Sequence, residues 1–259
     1  MTDTPRPPLW HGVAVALVTL FDPESGQVDT AATAKLAASL VDAGIRAVLV
    51  AGSTGEADAL TDAERLDLLA AVTDACPRVP VIAGASGDWT GQAVSRVRQA
   101  AGAGADAVLV APPRRGLDLA GHFAAVAEAA GGVPVMAYHF PGVAGGEVPV
   151  DALASLPIAG IKDSTGSPER LLAELDAWDR WTYVGSAPLA GYAGWLGATG
   201  AILAAANAAP EDAVAAFGGD PGAQRRLLTT HRAAQSRFPH GLKLAVADRF
   251  GTPVASRLG

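Results

Sequence analysis

Short apolar runs alternate along this chain with stretches in which apolar residues recur at helical spacing. The apolar runs are rich in valine, isoleucine and alanine, as in strands that are buried on both faces. The stretches between them are rich in alanine and leucine, so the alternation predicts repeated strand-helix units and a parallel sheet. Eight strands are predicted, over residues 13–20, 47–51, 79–85, 107–111, 133–140, 158–163, 183–186 and 200–205.

An internal repeat supports these units. Residues 43–51 read AGIRAVLVA, and residues 103–111 read AGADAVLVA. Each copy combines a helix end, a glycine turn and a buried strand. Eight such units predict an α/β protein with a (β/α)₈ TIM barrel. A doubly wound open sheet has similar local patterns, but no Gly-x-Gly-x-x-Gly follows the first strand, which disfavours that alternative.

The barrel accounts for the whole chain as a single domain over residues 1–259. Within it we expect residues 1–11 to form an N-terminal tail and residues from about 221 to 259 to form a short C-terminal helical extension, broken at residues 239–241. Two helix starts are marked: Thr61 and Glu64 form a capping box, and Ser167 is an N-cap that precedes a proline.

Composition narrows the classes of function. Hydrophobic residues make up 50% of the chain and charged residues 17%, which predicts a large core and excludes disorder. The net charge of −7 argues against a nucleic-acid or acidic-membrane partner and favours a small molecule. Cys76 has no partner for an intramolecular disulfide, so we expect it to pack in the core. With no signal-peptide pattern, and an apolar run at 13–21 that is too short for a bilayer, a cytoplasmic location is predicted.

One lysine has an unusual position. The active sites of TIM barrels lie at the C-terminal ends of the strands. Of the three lysines, only Lys162 lies in an apolar strand, whereas Lys35 and Lys243 lie in helical stretches where an ordinary solvated or snorkelling role is expected. Burial favours the uncharged amine, which is the form that attacks a carbonyl to form an imine. The alternative is a structural lysine that pairs with Asp163 or a neighbouring carboxylate.

Two further strand ends carry candidate chemistry. The second predicted strand runs into Gly52-Ser53-Thr54-Gly55-Glu56, where backbone amides and hydroxyls could bind a small carboxylate. Such a cluster also forms ordinary loops. At the end of the fifth strand, Tyr138 could relay protons in the barrel mouth or could simply be a packed aromatic residue.

No metal or cofactor is predicted. The five histidines show neither His-x-His nor Glu-x-x-x-His spacing, and no phosphate-binding Gly-x-x-x-x-Gly-Lys-Ser/Thr occurs. A glycine-rich stretch at residues 191–200 could bind phosphate, but tight turns between barrel units explain it equally well.

Three segments together resemble the dihydrodipicolinate synthase / N-acetylneuraminate lyase family of class I aldolases. They are Gly-Ser-Thr-Gly-Glu at 52–56, Tyr-His-Phe-Pro-Gly at 138–142 and Gly-Ile-Lys-Asp-Ser-Thr-Gly at 160–166. They occur in the order and at the separations typical of the family, and the resemblance extends from residue 12 to the helix that contains Lys243.

The resemblance implies a metal-free lyase that uses a Schiff base. Lys162 would form an imine with pyruvate or another 2-keto acid, and a carbon–carbon bond to an aldehyde partner would be made or broken through an enamine. Tyr138 would shuttle protons, with Thr54 as a further catalytic residue. A homo-oligomer, either a dimer or a tetramer, is also implied. The pocket positions carried over from the family are Ser53, Thr54, Gly55, Ser164, Gly185 and Ile202.

Two departures from the family pattern affect the second substrate. The synthase branch has an arginine where this chain has Val143, and the loop at 112–116 lacks the tyrosine common in relatives. Arg114 or Arg115 could bind an anionic substrate, and His139, a water molecule or another group could complete the proton relay. Two alternatives therefore remain: dihydrodipicolinate synthase itself, and a catalytically weak barrel that only binds keto acids.

Overall fold

Eight parallel strands form a closed barrel in a computed structural model that describes residues 6–115 and 118–258. Each strand pairs with the next along the chain, and the last pairs with the first. The (β/α)₈ barrel predicted from the sequence is confirmed. The strands are β1 (Gly12–Ala16), β2 (Ala47–Val50), β3 (Val81–Gly84), β4 (Ala107–Val110), β5 (Val135–His139), β6 (Gly160–Asp163), β7 (Trp181–Val184) and β8 (Gly200–Leu203).

Helices follow the strands and surround the barrel. Among the described residues, none of them combines the length and the apolar character needed to cross a bilayer. They are α1 (Thr30–Asp42), α2 (Asp62–Ala75), α3 (Thr90–Gly102), α4 (Leu119–Ala130), α5 (Pro168–Ala177), α6 (Ala190–Trp195), α7 (Pro210–Phe217), α8 (Pro221–Gln235) and α9 (His240–Phe250).

Both helix starts predicted from the sequence are confirmed. The Thr61 hydroxyl accepts a hydrogen bond from the Glu64 amide, and the Glu64 carboxylate accepts one from the Thr61 amide. At the start of α5, the Ser167 hydroxyl accepts a hydrogen bond from the Arg170 amide, and Pro168 is the first helical residue. These side chains satisfy amides that have no partner within the helix.

The eight strands are shorter than or offset from the predicted ranges, most clearly at β1. This strand ends at Ala16 rather than at residue 20, although the following residues stay buried. After Ala16, these backbone amides donate to side chains instead of to a neighbouring strand. The Val18 amide donates to Asn207 Oδ1, and the Leu20 amide donates to Thr33 Oγ1. An apolar run shows that a segment is buried, but not which group satisfies its backbone.

The range predicted for β7 was also wrong, because this strand covers Trp181–Val184 rather than 183–186. The chain turns away after Gly185, whose amide donates to the Asp163 carbonyl at 2.6 Å. A short 3₁₀ turn over Ala187–Leu189 follows.

Side chains alternate between two parts of the core. Those outside the barrel pack under the helices, as Val15, Val48 and Ile161 do. The interior residues form a separate cluster that includes Leu49, Met136, Tyr138, Tyr183 and Ile202. Alternation therefore places every second side chain of a strand inside the barrel. An interior polar side chain near the C-terminal end of its strand faces the mouth of the barrel, where active sites lie.

The N-terminal segment closes the opposite end of the barrel. Trp10 is buried and stacks on Tyr183 with 4.4 Å between ring centroids, and the Tyr183 hydroxyl donates to the Trp10 carbonyl. Trp181 Nε1 donates to the Arg6 carbonyl. Residues 6–11 of the predicted tail form no helix or strand and are held against the barrel by two aromatic residues of β7; residues 1–5 lie outside the described part.

The C-terminal extension was predicted as helical from about 221 to 259, and this was wrong beyond Phe250. Helix α9 ends there because Gly251 adopts a left-handed conformation with φ of 66°, and Pro253 follows. Residues 251–258 continue without helix and return towards the barrel. Residue 259 lies outside the described residues.

Candidate active site

Lys162 lies in β6, near the C-terminal end of the strand, and is only 5% exposed. Its strand neighbours are two tyrosines, Tyr138 on β5 and Tyr183 on β7. Lys162 Nζ lies 4.5 Å from the centroid of the Tyr138 ring. Because both tyrosines belong to the interior cluster, this register directs the Lys162 side chain into the barrel.

The structure contradicts the alternative in which Lys162 pairs with Asp163. Asp163 faces the outside of the barrel, where the Thr165 hydroxyl donates to it at 2.7 Å and Arg170 Nε lies 3.5 Å away. Within the described residues, no carboxylate oxygen lies within 4.0 Å of Lys162 Nζ. The amine is therefore not held in an ion pair by this part of the chain.

Gly185, one of the predicted pocket residues, lies close to Lys162 and to Ser164. A Cβ atom at Gly185 would overlap Ser164 Oγ and would lie 3.0 Å from Lys162 Cε. The missing side chain of Gly185 therefore makes room for the hydroxyl and the lysine stem. Ile202 is fully buried in the same interior cluster, and its backbone pairs with Ala14 of β1.

The Gly-Ser-Thr-Gly-Glu segment forms a tight turn at the end of β2. Residues Ser53–Gly55 form one 3₁₀ turn, in which Ser53 is exposed and Thr54 is buried. The Thr19 hydroxyl donates to the Gly55 carbonyl at 2.8 Å. A Cβ atom at Gly55 would approach the Leu17 carbonyl to 2.9 Å, so glycine is needed for this close packing.

The expectation for Lys243 was wrong. It is fully buried rather than solvated, and its Nζ forms an ion pair with Glu56 Oε1. The helical pattern around Lys243 contains no sign of this partner, which is 187 residues away along the chain. Arg65 is a second buried cation near the turn, and it donates to the Ala57 and Gly84 carbonyls.

The loops after β4 and β5 pack against each other at the barrel mouth. The Gly146 amide donates to the Pro112 carbonyl at 2.9 Å, and the Arg114 guanidinium donates to the Val143 carbonyl. Val143 is 50% exposed. Of the predicted 112–116 loop, Gly116 lies outside the described residues.

Comparison with known proteins agrees with this geometry. The model of the dihydrodipicolinate synthetase family matches residues 9–219. The chain belongs to this family. The resemblance found in the sequence is therefore confirmed at the level of the family.

Three relatives illustrate the range of the family. A 4-hydroxy-tetrahydrodipicolinate synthase of Parasynechococcus marenigrum is 40% identical over 172 residues, which are 62% of this chain and 56% of that protein. An uncharacterized DapA-like lyase of Halobacterium salinarum is 36% identical over 258 residues, covering 92% of this chain and 84% of the relative. The structure of YagE, a prophage protein from E. coli K12 solved in complex with pyruvate, superposes with a TM-score of 0.84 at 28% identity, covering 93% and 88% of the two chains.

His139 does not face the site in this member of the dihydrodipicolinate synthetase family. Strand alternation puts it outside the barrel, opposite Asp163, and its Nδ1 accepts a hydrogen bond from the Val148 amide at 2.9 Å. Burial, aided by the charge of Arg170, lowers the pKa of His139 to about 4. The prediction that His139 could complete the proton relay is therefore wrong.

A buried charge cluster lies behind β6. Arg170 Nε lies 2.8 Å from Glu174 Oε1 and 3.5 Å from Asp163 Oδ1, and Glu174 is fully buried. One guanidinium cannot neutralise two carboxylates. Burial, together with the charge of Asp163, raises the pKa of Glu174 to about 8, although Arg170 opposes the shift.

The raised pKa of Glu174 predicts a pH-dependent stability. From about pH 4.5 to about 8 the unfolded chain releases this proton while the folded chain keeps it, so stability falls as pH rises through this window. Glu174→Gln mimics the protonated carboxyl. The loss of free energy of unfolding with rising pH should therefore be smaller in this variant by at least about 1.4 kcal/mol, or roughly 3–5 °C in Tm. Thermal unfolding between pH 5 and 8.5 measures how the stability of each protein changes with pH. Glu169→Gln, on the exposed face of α5, is the control; equal slopes for the Glu174 variant and the unchanged protein would contradict the prediction.

No metal centre is evident in the described residues, where no group of three or more His, Cys, Asp or Glu side chains could hold an ion. Two clefts lie away from Lys162. One, of about 20 Å³, lies between α2 and α3 beside Arg65, and one of about 500 Å³ lies between α8 and α9 beside Leu244. Beside the Lys162 amine, the described residues place the Tyr138 ring and the Ser164 hydroxyl.

Proposed function

We propose that the protein is a class I lyase in which Lys162 forms a Schiff base with pyruvate or another 2-keto acid. The observation that carries the proposal is the buried Lys162 amine beside the Tyr138 ring, with no carboxylate within ion-pair distance among the described residues. Membership of the dihydrodipicolinate synthetase family supports it. The YagE structure, which was solved in complex with pyruvate, points to the same substrate.

The chemistry needs no metal. The Lys162 amine would attack the keto carbon, and water would leave as the imine forms. The protonated imine withdraws electrons, so the neighbouring carbon would lose a proton and form an enamine. That enamine would attack an aldehyde, forming a carbon–carbon bond; the reverse sequence would break one. The Tyr138 ring centroid lies 4.5 Å from Lys162 Nζ, and the Tyr138 hydroxyl is proposed to carry the protons.

The carboxylate of the keto acid is proposed to bind at the Ser53–Gly55 turn. The hydroxyls and backbone amides of Ser53 and Thr54 are suitable donors for a carboxylate, whereas the Gly55 amide already donates to the Gly52 carbonyl at 2.9 Å. Ser164, Gly185 and Ile202 are proposed as the remaining lining of the pocket; Gly185 supports this assignment because it leaves space between Ser164 and Lys162.

Reductive trapping tests the proposal. Borohydride added to the folded protein with pyruvate should reduce the imine to a stable adduct, which peptide mass analysis can locate. The chain has three lysines in different settings: Lys35 is exposed, Lys243 is paired with Glu56, and Lys162 faces the barrel interior. The adduct is expected on Lys162. A folded protein that gives no pyruvate adduct on Lys162 would refute the proposal.

A second candidate is 4-hydroxy-tetrahydrodipicolinate synthase, the name carried by the Parasynechococcus relative. The contact of Arg114 with the Val143 carbonyl favours it, because it brings a guanidinium to the position where the synthase branch has its arginine. Turnover of pyruvate with aspartate semialdehyde tests this candidate. Protein that traps pyruvate but does not condense these two substrates would eliminate it and leave another aldehyde.

We also propose a homo-oligomer, either a dimer or a tetramer, in a reducing compartment such as the cytoplasm. Trp195 is 79% exposed and Trp89 is 64% exposed, and assembly would cover such indole rings. Light scattering on the eluting protein measures the assembly. The reducing compartment is proposed because Cys76 is the single cysteine of the sequence and cannot form an intramolecular disulfide. Cys76 is 3% exposed, and burial near Asp42 raises the pKa of its thiol to about 11, so it is unreactive.

A further inference from the structure

The Ser53–Gly55 turn is bracketed by two strained backbone positions. Ala51 has φ of 51° and Glu56 has φ of 55°, and in the described part of the chain they are the non-glycine residues with positive φ. A side chain in this left-handed region costs free energy, and it persists only where surrounding contacts impose it. The conformation of the turn must therefore be maintained from outside it.

Glu56 is held at both carboxylate oxygens. Oε1 accepts a hydrogen bond from Lys243 Nζ in a pair whose side chains are both fully buried. Oε2 accepts three hydrogen bonds from the end of the described chain, given by the Ser256 hydroxyl at 2.8 Å, the Arg257 amide at 2.8 Å and the Leu258 amide at 2.9 Å. Although burial opposes ionisation, these donors together lower the pKa of Glu56, so the carboxylate is charged when it holds the turn.

The same C-terminal segment also contacts Lys243 and the rest of the loop. Lys243 Nζ donates to the Ala255 carbonyl at 2.7 Å. The Arg257 guanidinium donates to the Ala59 carbonyl and pairs with Glu64. Ala255 also packs against a small apolar cluster of Phe21, Ala51, Leu60 and Leu68. The segment 255–258 therefore supports the loop from Ala51 to Leu60 along its length.

Two separate parts of the chain thus converge on Glu56, directly after the turn that presents Ser53 and Thr54. We propose that Lys243 and the segment 255–258 act through Glu56 as positioning elements of the Ser53–Gly55 turn, and so set the affinity for the keto-acid carboxylate. This rests on the proposed function, because it assumes that the turn binds the carboxylate. Neither Lys243 nor the segment is proposed to touch the substrate.

A full-length variant of the segment tests the proposal with little risk to folding. Ser256→Ala with Leu258→Pro removes two of the three donors to Oε2, since proline has no amide hydrogen. The pyruvate concentration for half-maximal borohydride trapping should rise about tenfold, while the maximal adduct yield should stay unchanged. Leu258→Ala, which retains the amide and changes only an exposed side chain, is the matched control and should not shift the half-saturation.

Variants of Lys243 provide an independent test of the positioning role. Lys243→Met should raise the pyruvate concentration for half-maximal trapping by more than the segment variant does, because it leaves Glu56 buried without its cation. Lys243→Arg, which keeps a cation, should restore part of the affinity. Arg249→Met is the control: Arg249 lies on α9, as Lys243 does, and the variant breaks only its surface pair with Glu211 of α7. Should Lys243→Met fail to fold, the segment variant decides the question.

The outcomes separate this proposal from the proposed function. If the unchanged protein gives no adduct on Lys162, the proposed function fails. If it gives the adduct and the folded segment variant traps pyruvate with unchanged half-saturation, the positioning role is refuted. A lower Tm without a shifted half-saturation would show a purely structural role and would also refute it.

Discussion

Replacing Lys162 with arginine is expected to reduce deuterium exchange at the methyl group of pyruvate by more than about 10⁴-fold. Exchange in heavy water requires the enamine but no aldehyde, so it reports on Lys162 without knowledge of the second substrate. Arginine keeps the positive charge but stays protonated at neutral pH and cannot form the imine. Proton NMR of the pyruvate methyl signal measures the rate.

The control for this variant is Lys35→Arg, which changes an exposed lysine on α1 in the same way. It should exchange deuterium at the rate of the unchanged protein. Residual exchange within tenfold in Lys162→Arg would contradict the covalent mechanism. Rapid exchange by the unchanged protein would in turn exclude the alternative of a barrel that only binds keto acids.

Replacing Tyr138 with phenylalanine is expected to lower the exchange rate by about 10²–10⁴-fold, the usual contribution of a general acid or base. The ring remains and still packs beside Lys162, whose Nζ lies 4.5 Å from the ring centroid, so only the hydroxyl is lost. Prolonged incubation with pyruvate and borohydride should still give the adduct on Lys162. The combination of slow exchange and preserved adduct would assign Tyr138 to proton transfer rather than to binding.

Tyr183 offers a matched control for Tyr138. It pairs with Lys162 from the other neighbouring strand, but its hydroxyl donates to the Trp10 carbonyl at the closed end of the barrel. Tyr183→Phe should cost roughly 0.5–1.5 kcal/mol of stability and leave the exchange rate unchanged. Equal rate losses in the two variants would show that Tyr138 acts only through packing.

Much of the fold could be predicted because barrel units repeat local patterns. An apolar run, a glycine turn and a helix lie within a few tens of residues, as in the two copies at 43–51 and 103–111, so spacing alone reveals them. The apolar run around Lys162 also predicted that this lysine lies inside a strand, whereas only the structure showed that Asp163 faces the other side of the barrel wall. The predicted strand ends were less accurate, because side chains such as Asn207 replace strand partners beyond β1.

The site was predicted in part for the same reason. Lys162 and Tyr138 lie at the ends of strands, where the fold itself brings them together. His139 was misjudged because its partner, the Val148 amide, lies in a loop whose path no periodicity describes. The contact between Arg114 and Val143 likewise joins two separate loops, at residues that carry no recognisable pattern.

The amino-acid sequence by itself determined the repeated strand-helix units, the position of Lys162 in a buried strand and the family, since each depends on residues that are near one another or in a fixed order. Only the tertiary structure decided what surrounds the Ser53–Gly55 turn. Lys243 looks like an ordinary helix lysine until the closed barrel brings it to Glu56, 187 residues away. Buried ion pairs of this kind depend on which distant segments meet, and hydrophobic spacing carries no information about that.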